Sequence, residues 1–219
     1  NEIVVDKLQY YIKYLKQGEY YFQDAYGEVP FYVEIDKTKG QLFGQLIKIK
    51  FLSPSQYELS VDFGQATSAS VIQYADLAVK PVNVSGGEYK KVFKINEAVD
   101  LPFLHLKLMI KPEAYEYTNQ EYFVSFDDFN GTVASYRGID VSADAKALSV
   151  VRLQLEGTNK HRLVESLNTT VDVLRKIQLD SKNQFANNTI GFIDSTLREM
   201  EGQIKEAENE LKEFRKGKN

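Results

Sequence analysis

The stretch Asn188–Asn219, "NTIGFIDSTLREMEGQIKEAENELKEFRKGKN", places apolar residues at Ile190, Ile193, Leu197, Met200, Ile204, Ala207, Leu211 and Phe214. The gaps alternate between three and four. That is a heptad seam, and it predicts an α-helix that needs a partner along one edge. Leu163, Leu167, Val171, Leu174 and Ile177 extend an apolar face upstream, and no proline follows Pro112. The spacing therefore predicts a helix from Lys160 to about Lys216, roughly 85 Å long at 1.5 Å per residue. A compact chain of this length is only about 45 Å across. The helix must either break near "KNQFANN" (Lys182–Asn188), where Asn183, Asn187 and Asn188 are poor helix formers, or extend past a globule. Gly191 and Gly202 each cost about 1 kcal/mol relative to alanine. Burial of the large seam residues, at about 1.5–3 kcal/mol each, outweighs that cost only where something covers them.

The rest of the chain reads mostly as strands. Glu2–Lys16 is predicted as a helix, with Val4, Leu8, Tyr11, Ile12 and Leu15 on one face and Gly18 as its stop. Val29–Ile35 alternates and predicts a strand opened by Pro30. Ile47, Ile49 and Phe51 alternate with lysines, and Tyr57, Leu59, Val61 and Phe63 alternate across "SPSQ", which predicts an antiparallel hairpin with one wet face. "GQATSAS" (64–70) reads as a loop and "KPVNV" (80–84) as a short or edge strand, since Pro81 cannot donate to a ladder. Further strands are predicted at Tyr89–Ile95, Phe103–Ile110 and Glu121–Phe126. "NGTVASYR" (130–137) reads as a short helix, "LSVVRLQLEG" (148–157) as a strand, and Thr158 or Asn159 as the cap of the long helix. The fold expected is α+β: a base domain with an inserted antiparallel β lobe, sandwich- or barrel-like, and a long projecting C-terminal helix. The segments are 1–40 and 129–180 for the base, 41–128 for the lobe and 181–219 for the start of the heptad helix.

Composition narrows the function. A net charge of −4 without a basic, aromatic-interleaved stripe argues against a nucleic-acid surface. Absence of cysteine excludes disulfides and thiolate metal sites and fits an extracytoplasmic bacterial setting. No apolar run approaches the ~18–20 residues of a membrane span, and no signal peptide is visible. His105 and His161 are the only imidazoles, and no carboxylate cluster accompanies either in sequence. The pair Asp127–Asp128 in "FDDF" reads as a strand end or helix cap, because adjacent strand residues face opposite sides. "SGGEY" (85–89) reads as a hairpin turn. No Gly-x-Ser-x-Gly elbow and no phosphate loop is present. Catalytic, metal and cofactor residues are accordingly not assigned. Tyr115, Tyr117 and Tyr122, in "EAYEYTNQEYF", are candidates for stacking on sugar rings. The competing explanation is that tyrosine suits half-buried strands.

Three stretches carry a resemblance. "EVPFYVEI", "LSVVRLQLEGTNKHRLVESLNTTVDVL" and "KNQFANNTIGFIDSTLREMEGQIKEAENELKEFR" together resemble the periplasmic part of the polysaccharide co-polymerases. These are the Wzz-type chain-length determinants and the Wzc-type capsular tyrosine autokinases, with the likeness greatest to Bacteroidetes-like exopolysaccharide-transport members. "FIDSTL" and "AENELKEFR" are its most telling words. The resemblance implies a non-enzymatic periplasmic fragment of an inner-membrane protein. It implies a ring-like homo-oligomer that sets the length, or couples the export, of capsular, exo- or O-antigen polysaccharide. Its partners would be the polymerase, the nascent polymer and an outer-membrane export channel, with membrane segments and any kinase domain outside this chain. Helix pairing and assembly would fall to Ile190, Ile193, Leu197, Met200, Ile204, Leu211 and Phe214. Two other classes fit the general plan: a periplasmic adaptor of an efflux or secretion system, which would show a lipoyl-like half-motif that is not found, and a carbohydrate-binding β domain on a stalk.

Overall fold

The computed structural model describes residues 1–144 and 147–216, the side chains of 143–150, 214 and 215 excepted. In chain order the elements are α1 (Glu2–Leu8), β1 (Ile12–Gln17), β2 (Phe22–Asp24), β3 (Phe31–Ile35), β4 (Gln41–Leu42), β5 (Ile47–Ser53), β6 (Gln56–Asp62), β7 (Ser68–Gln73) and β8 (Ala78–Asn83). Then follow β9 (Glu88–Lys94), β10 (Ala98–Leu101), β11 (Leu104–Ile110), β12 (Glu121–Phe126), α2 (Phe129–Ser135), β13 (Asp140–Asp144), β14 (Ala147–Gln154) and α3 (Lys160–Lys216). Helix and strand are mixed, the sheets are antiparallel, and the long C-terminal helix is unbroken. Contacts divide the chain into two units, Asn1–Thr170 and Val171–Asn219.

In the first unit, one sheet has the order β2-β1-β12-β5-β6-β9, two three-stranded sheets run β10-β11-β3 and β4-β7-β8, and β13 pairs with β14. Alternation decides which face is dry. On β5, Ile47, Ile49 and Phe51 are buried while Lys48 and Lys50 lie on the wetter face. There both lysines reach the cross-strand Glu121, at 2.8 and 3.3 Å. The Lys48 and Lys50 ammoniums hold the Glu121 carboxyl below the usual carboxylate range. Tyr11, Phe31, Phe51, Tyr57 and Phe126 are all but fully buried and centre a single core cluster. β8 is an edge strand, which is where Pro81 costs no ladder bond.

Four sequence expectations change. The helix expected over Glu2–Lys16 ends at Leu8, where Gln9 takes a left-handed conformation (φ 50°) and "IKYLKQ" becomes β1. Tyr11, Ile12 and Leu15 fit a helix face while Ile12 and Tyr14 fit a period of two, and pairing of Ile12–Leu15 with Phe123–Phe126 decides for the strand. "GQATSAS" is a loop only in its first half, since Ser68–Ser70 open β7 and pair with β8. "SGGEY" joins two different sheets and is not a hairpin turn. Gly87, at φ +91°, donates to Gly64 O (2.6 Å) and accepts from Phe63 N (3.0 Å), closing the β6–β9 ladder. Finally, residues 41–128 do not form sheets apart from residues 1–40: β1 pairs with β12 and β3 with β11.

Candidate functional site

No three metal-ligating side chains converge among the described residues. The features that remain are the first turns of α3, its seam, and the tyrosines.

The first turns of α3 belong to the first unit and are held by polar chemistry. Asn159 Oδ1 accepts from Arg162 N at 3.1 Å and so caps the helix, while Asn159 Nδ2 donates to Asp24 O (3.3 Å) and Tyr26 O (3.1 Å). Arg162 is buried. Its Nε donates to Asp24 Oδ2 at 2.7 Å. Its guanidinium carbon lies 4.9 Å from the Tyr10 ring centre and 4.3 Å from that of Tyr26. Tyr10 O–H donates back to Arg162 O (2.9 Å), and Tyr26 O–H to Glu165 (2.5 Å). Burial opposes the guanidinium charge, but Asp24 and Tyr136 more than offset it, so the pKa stays raised. Burial also pushes the Tyr10 and Tyr26 hydroxyls well above the usual tyrosine range, and Glu165 adds to both. Ser166 and Thr169 complete the buried face. The face of α3 buried here is thus Arg162, Ser166 and Thr169, with Leu163 and Leu167 at its margin.

In the second unit, α3 passes through Lys182–Asn188 without a break and totals 57 residues. The seam residues are exposed, from 50% at Ile193 to 60% at Ile204, with Ile190, Leu197, Met200 and Leu211 between. Phe185 and Phe192 are more exposed still. Phe214 falls within the helix, but its side chain lies outside the described residues. Apolar residues at heptad spacing thus stay exposed over this length, the pattern that helix pairing uses in coiled coils.

The three tyrosines meet at one groove of about 350 Å³, beside Lys111, Glu113 and Gln120. Tyr117 and Tyr122 are partly spent on packing. Tyr117 donates to Pro54 O (3.0 Å) and sets its ring edge-on to Phe51 at 5.0 Å, and Tyr122 lies edge-on to Phe31. Tyr115 is 82% exposed. Of the histidines, His161 is exposed. His105 has an acidic neighbour that the sequence does not reveal: Nδ1–H donates to Gly40 O (2.9 Å) and Nε2 lies 3.1 Å from Asp100, its cross-strand partner. Asp128 caps α2 by accepting from Gly131 N, and Asp127 pairs with Lys13. The two carboxylates therefore serve separate contacts.

No family model matches the chain, and no curated protein matches it.

Proposed function

We propose that the chain is the periplasmic domain of an inner-membrane polysaccharide co-polymerase, a non-enzymatic module that regulates the chain length or export of a surface polysaccharide. The observation that carries this reading is the unbroken α3, its heptad seam exposed, following an antiparallel α+β unit. It supports assembly by helix pairing, and the three quoted stretches supply the resemblance. Residues 41–128 take the role of the family's inserted β lobe, although their strands share sheets with β1 and β3. Copies of the chain would assemble as a ring, and the assembly would act on polymerase and nascent polymer through its geometry. Among the described residues no helix is long and apolar enough to cross a membrane; on this reading, attachment to the inner membrane would rest on segments outside this chain.

The test is deletion of the gene in its cell of origin, followed by electrophoresis of the surface polysaccharide. A changed or lost length distribution, restored by the intact gene, supports the proposal. An unchanged distribution refutes it.

A further inference from the structure

Two depressions adjoin on the first unit, of about 250 and 350 Å³, and share Gly27, Val29 and Lys111. Together they make a trough with Tyr32 on one side of Lys111 and Tyr115 on the other. Tyr32 is 38% and Tyr115 82% exposed. Tyr115 is presented by a pinned loop. Ala114 N bonds to Lys111 O (3.0 Å), Asn119 N to Phe51 O (2.8 Å), and Gln120 Nε2 to Glu116 O (2.8 Å). Glu116 and Asn119 both hold left-handed backbone, φ 56° and 61°, a conformation rare outside glycine that persists where the surroundings enforce it. The backbone that presents Tyr115 is therefore held in place.

The polar groups around these rings have a definite chemistry. Glu28, Glu113 and Glu116 line one half and Glu165 the other, against the single lysine they share. Lys111 is partly desolvated, which depresses its amine; its nearest acceptor is Gly27 O at 3.5 Å, and among the described residues no carboxylate lies within ion-pair distance. A ligand must then offer apolar faces to tyrosine rings and hydroxyls to carboxylates and an ammonium. Lys16 pairs with Glu28 at 2.5 Å, so an anionic ligand would meet the carboxylates of Glu113, Glu116 and Glu165 against the one cation of Lys111.

The geometry points to an uncharged saccharide as the ligand of this trough, with Tyr115 as the stacking platform, Lys111 donating to a sugar hydroxyl, and Glu113 accepting from another; Gln120, which accepts from Tyr122 O–H and donates to Glu116 O, braces the loop. The inference deepens the proposed function and rests on it for the presence of a polysaccharide partner. The ring faces and hydrogen-bonding groups come from the trough itself.

The test is titration of the ¹⁵N-labelled protein with uncharged tri- and tetrasaccharides of glucose, mannose, galactose and N-acetylglucosamine, and with trigalacturonate. At least one uncharged probe is expected to shift the amides of residues 111–122. Tyr115→Ala should weaken that binding tenfold or more at unchanged Tm, and Lys111→Met should weaken it less. Trigalacturonate should bind more weakly than the uncharged probe, with a gap that narrows at high salt. The inference is overturned if no uncharged probe moves these amides, if Tyr115→Ala binds as well as the native chain, or if the acidic probe binds tighter. A polysaccharide-length phenotype with a silent titration removes the trough and leaves the function. A clear titration without a length phenotype does the reverse.

Discussion

Arg162 shows how much one side chain can decide. Its carboxylate partner, two rings and a returned hydroxyl bond fix the start of a helix of 57 residues. Removing it strands Asp24 beside two rings that have lost their cation. Arg162→Ala should therefore lower stability by about 3 kcal/mol, and Arg162→Lys, which keeps charge without the planar fork, by about half as much. Urea denaturation followed by circular dichroism reads both. The surrounding tyrosines make a pH prediction. Burial raises Tyr10, Tyr26 and Tyr14, the last to about 12, so the folded state holds protons that the unfolded chain releases near pH 10. Stability should be full below pH 10 and fall as pH rises through about 12, with tyrosinate absorbance at these residues developing together with unfolding. Ionisation of all tyrosines without loss of structure would contradict this. The sequence hides this cluster, because Arg162, Ser166 and Thr169 are polar residues on a buried face. Hydropathy weighs Leu163 and Leu167 instead, and only the 4-3 spacing of the polar residues offers a signal.

Among the elements, strands with clean alternation are legible from sequence. β5, β6, β11 and β12 fall where the pattern puts them, because one face is dry and a one-residue slip would invert every side chain. Short apolar runs are not legible when two periods fit. "YIKYLKQ" satisfies a helix face and a strand face alike, and only the partner β12 chooses. Sheet membership is likewise a long-range property. Nothing local in "SGGEY" tells that β8 and β9 lie in different sheets. Helix α3 is the opposite case, since its period is sustained and proline-free, and its continuity through the asparagines follows from cooperative propagation on both sides. The seam carries the prediction at this scale. Leu197→Asp or Ile204→Asp should abolish helix pairing, read as a smaller species in sedimentation at high protein concentration, while the β signal in circular dichroism stays unchanged. Loss of the β signal would mean that the seam supports the first unit. Both positions are more than half exposed, so neither substitution should cost that unit more than about 0.5 kcal/mol.

For the whole molecule, the mixed class, the antiparallel sheets and the long terminal helix were all readable from periodicity. The division of the first unit into base and lobe was not, because Tyr11, Phe31, Phe51 and Phe126 come from both segments and share one core. A cut at residue 40 would open that core, so the segment 41–128 alone should not fold. The function proposed makes the seam the working surface of an assembly. The most direct test is the length distribution of surface polysaccharide in cells whose only copy of the gene encodes Leu197→Asp together with Ile204→Asp, at native protein level. A broadened or shortened distribution is predicted, with the protein intact. A distribution indistinguishable from that of the native gene would contradict the account.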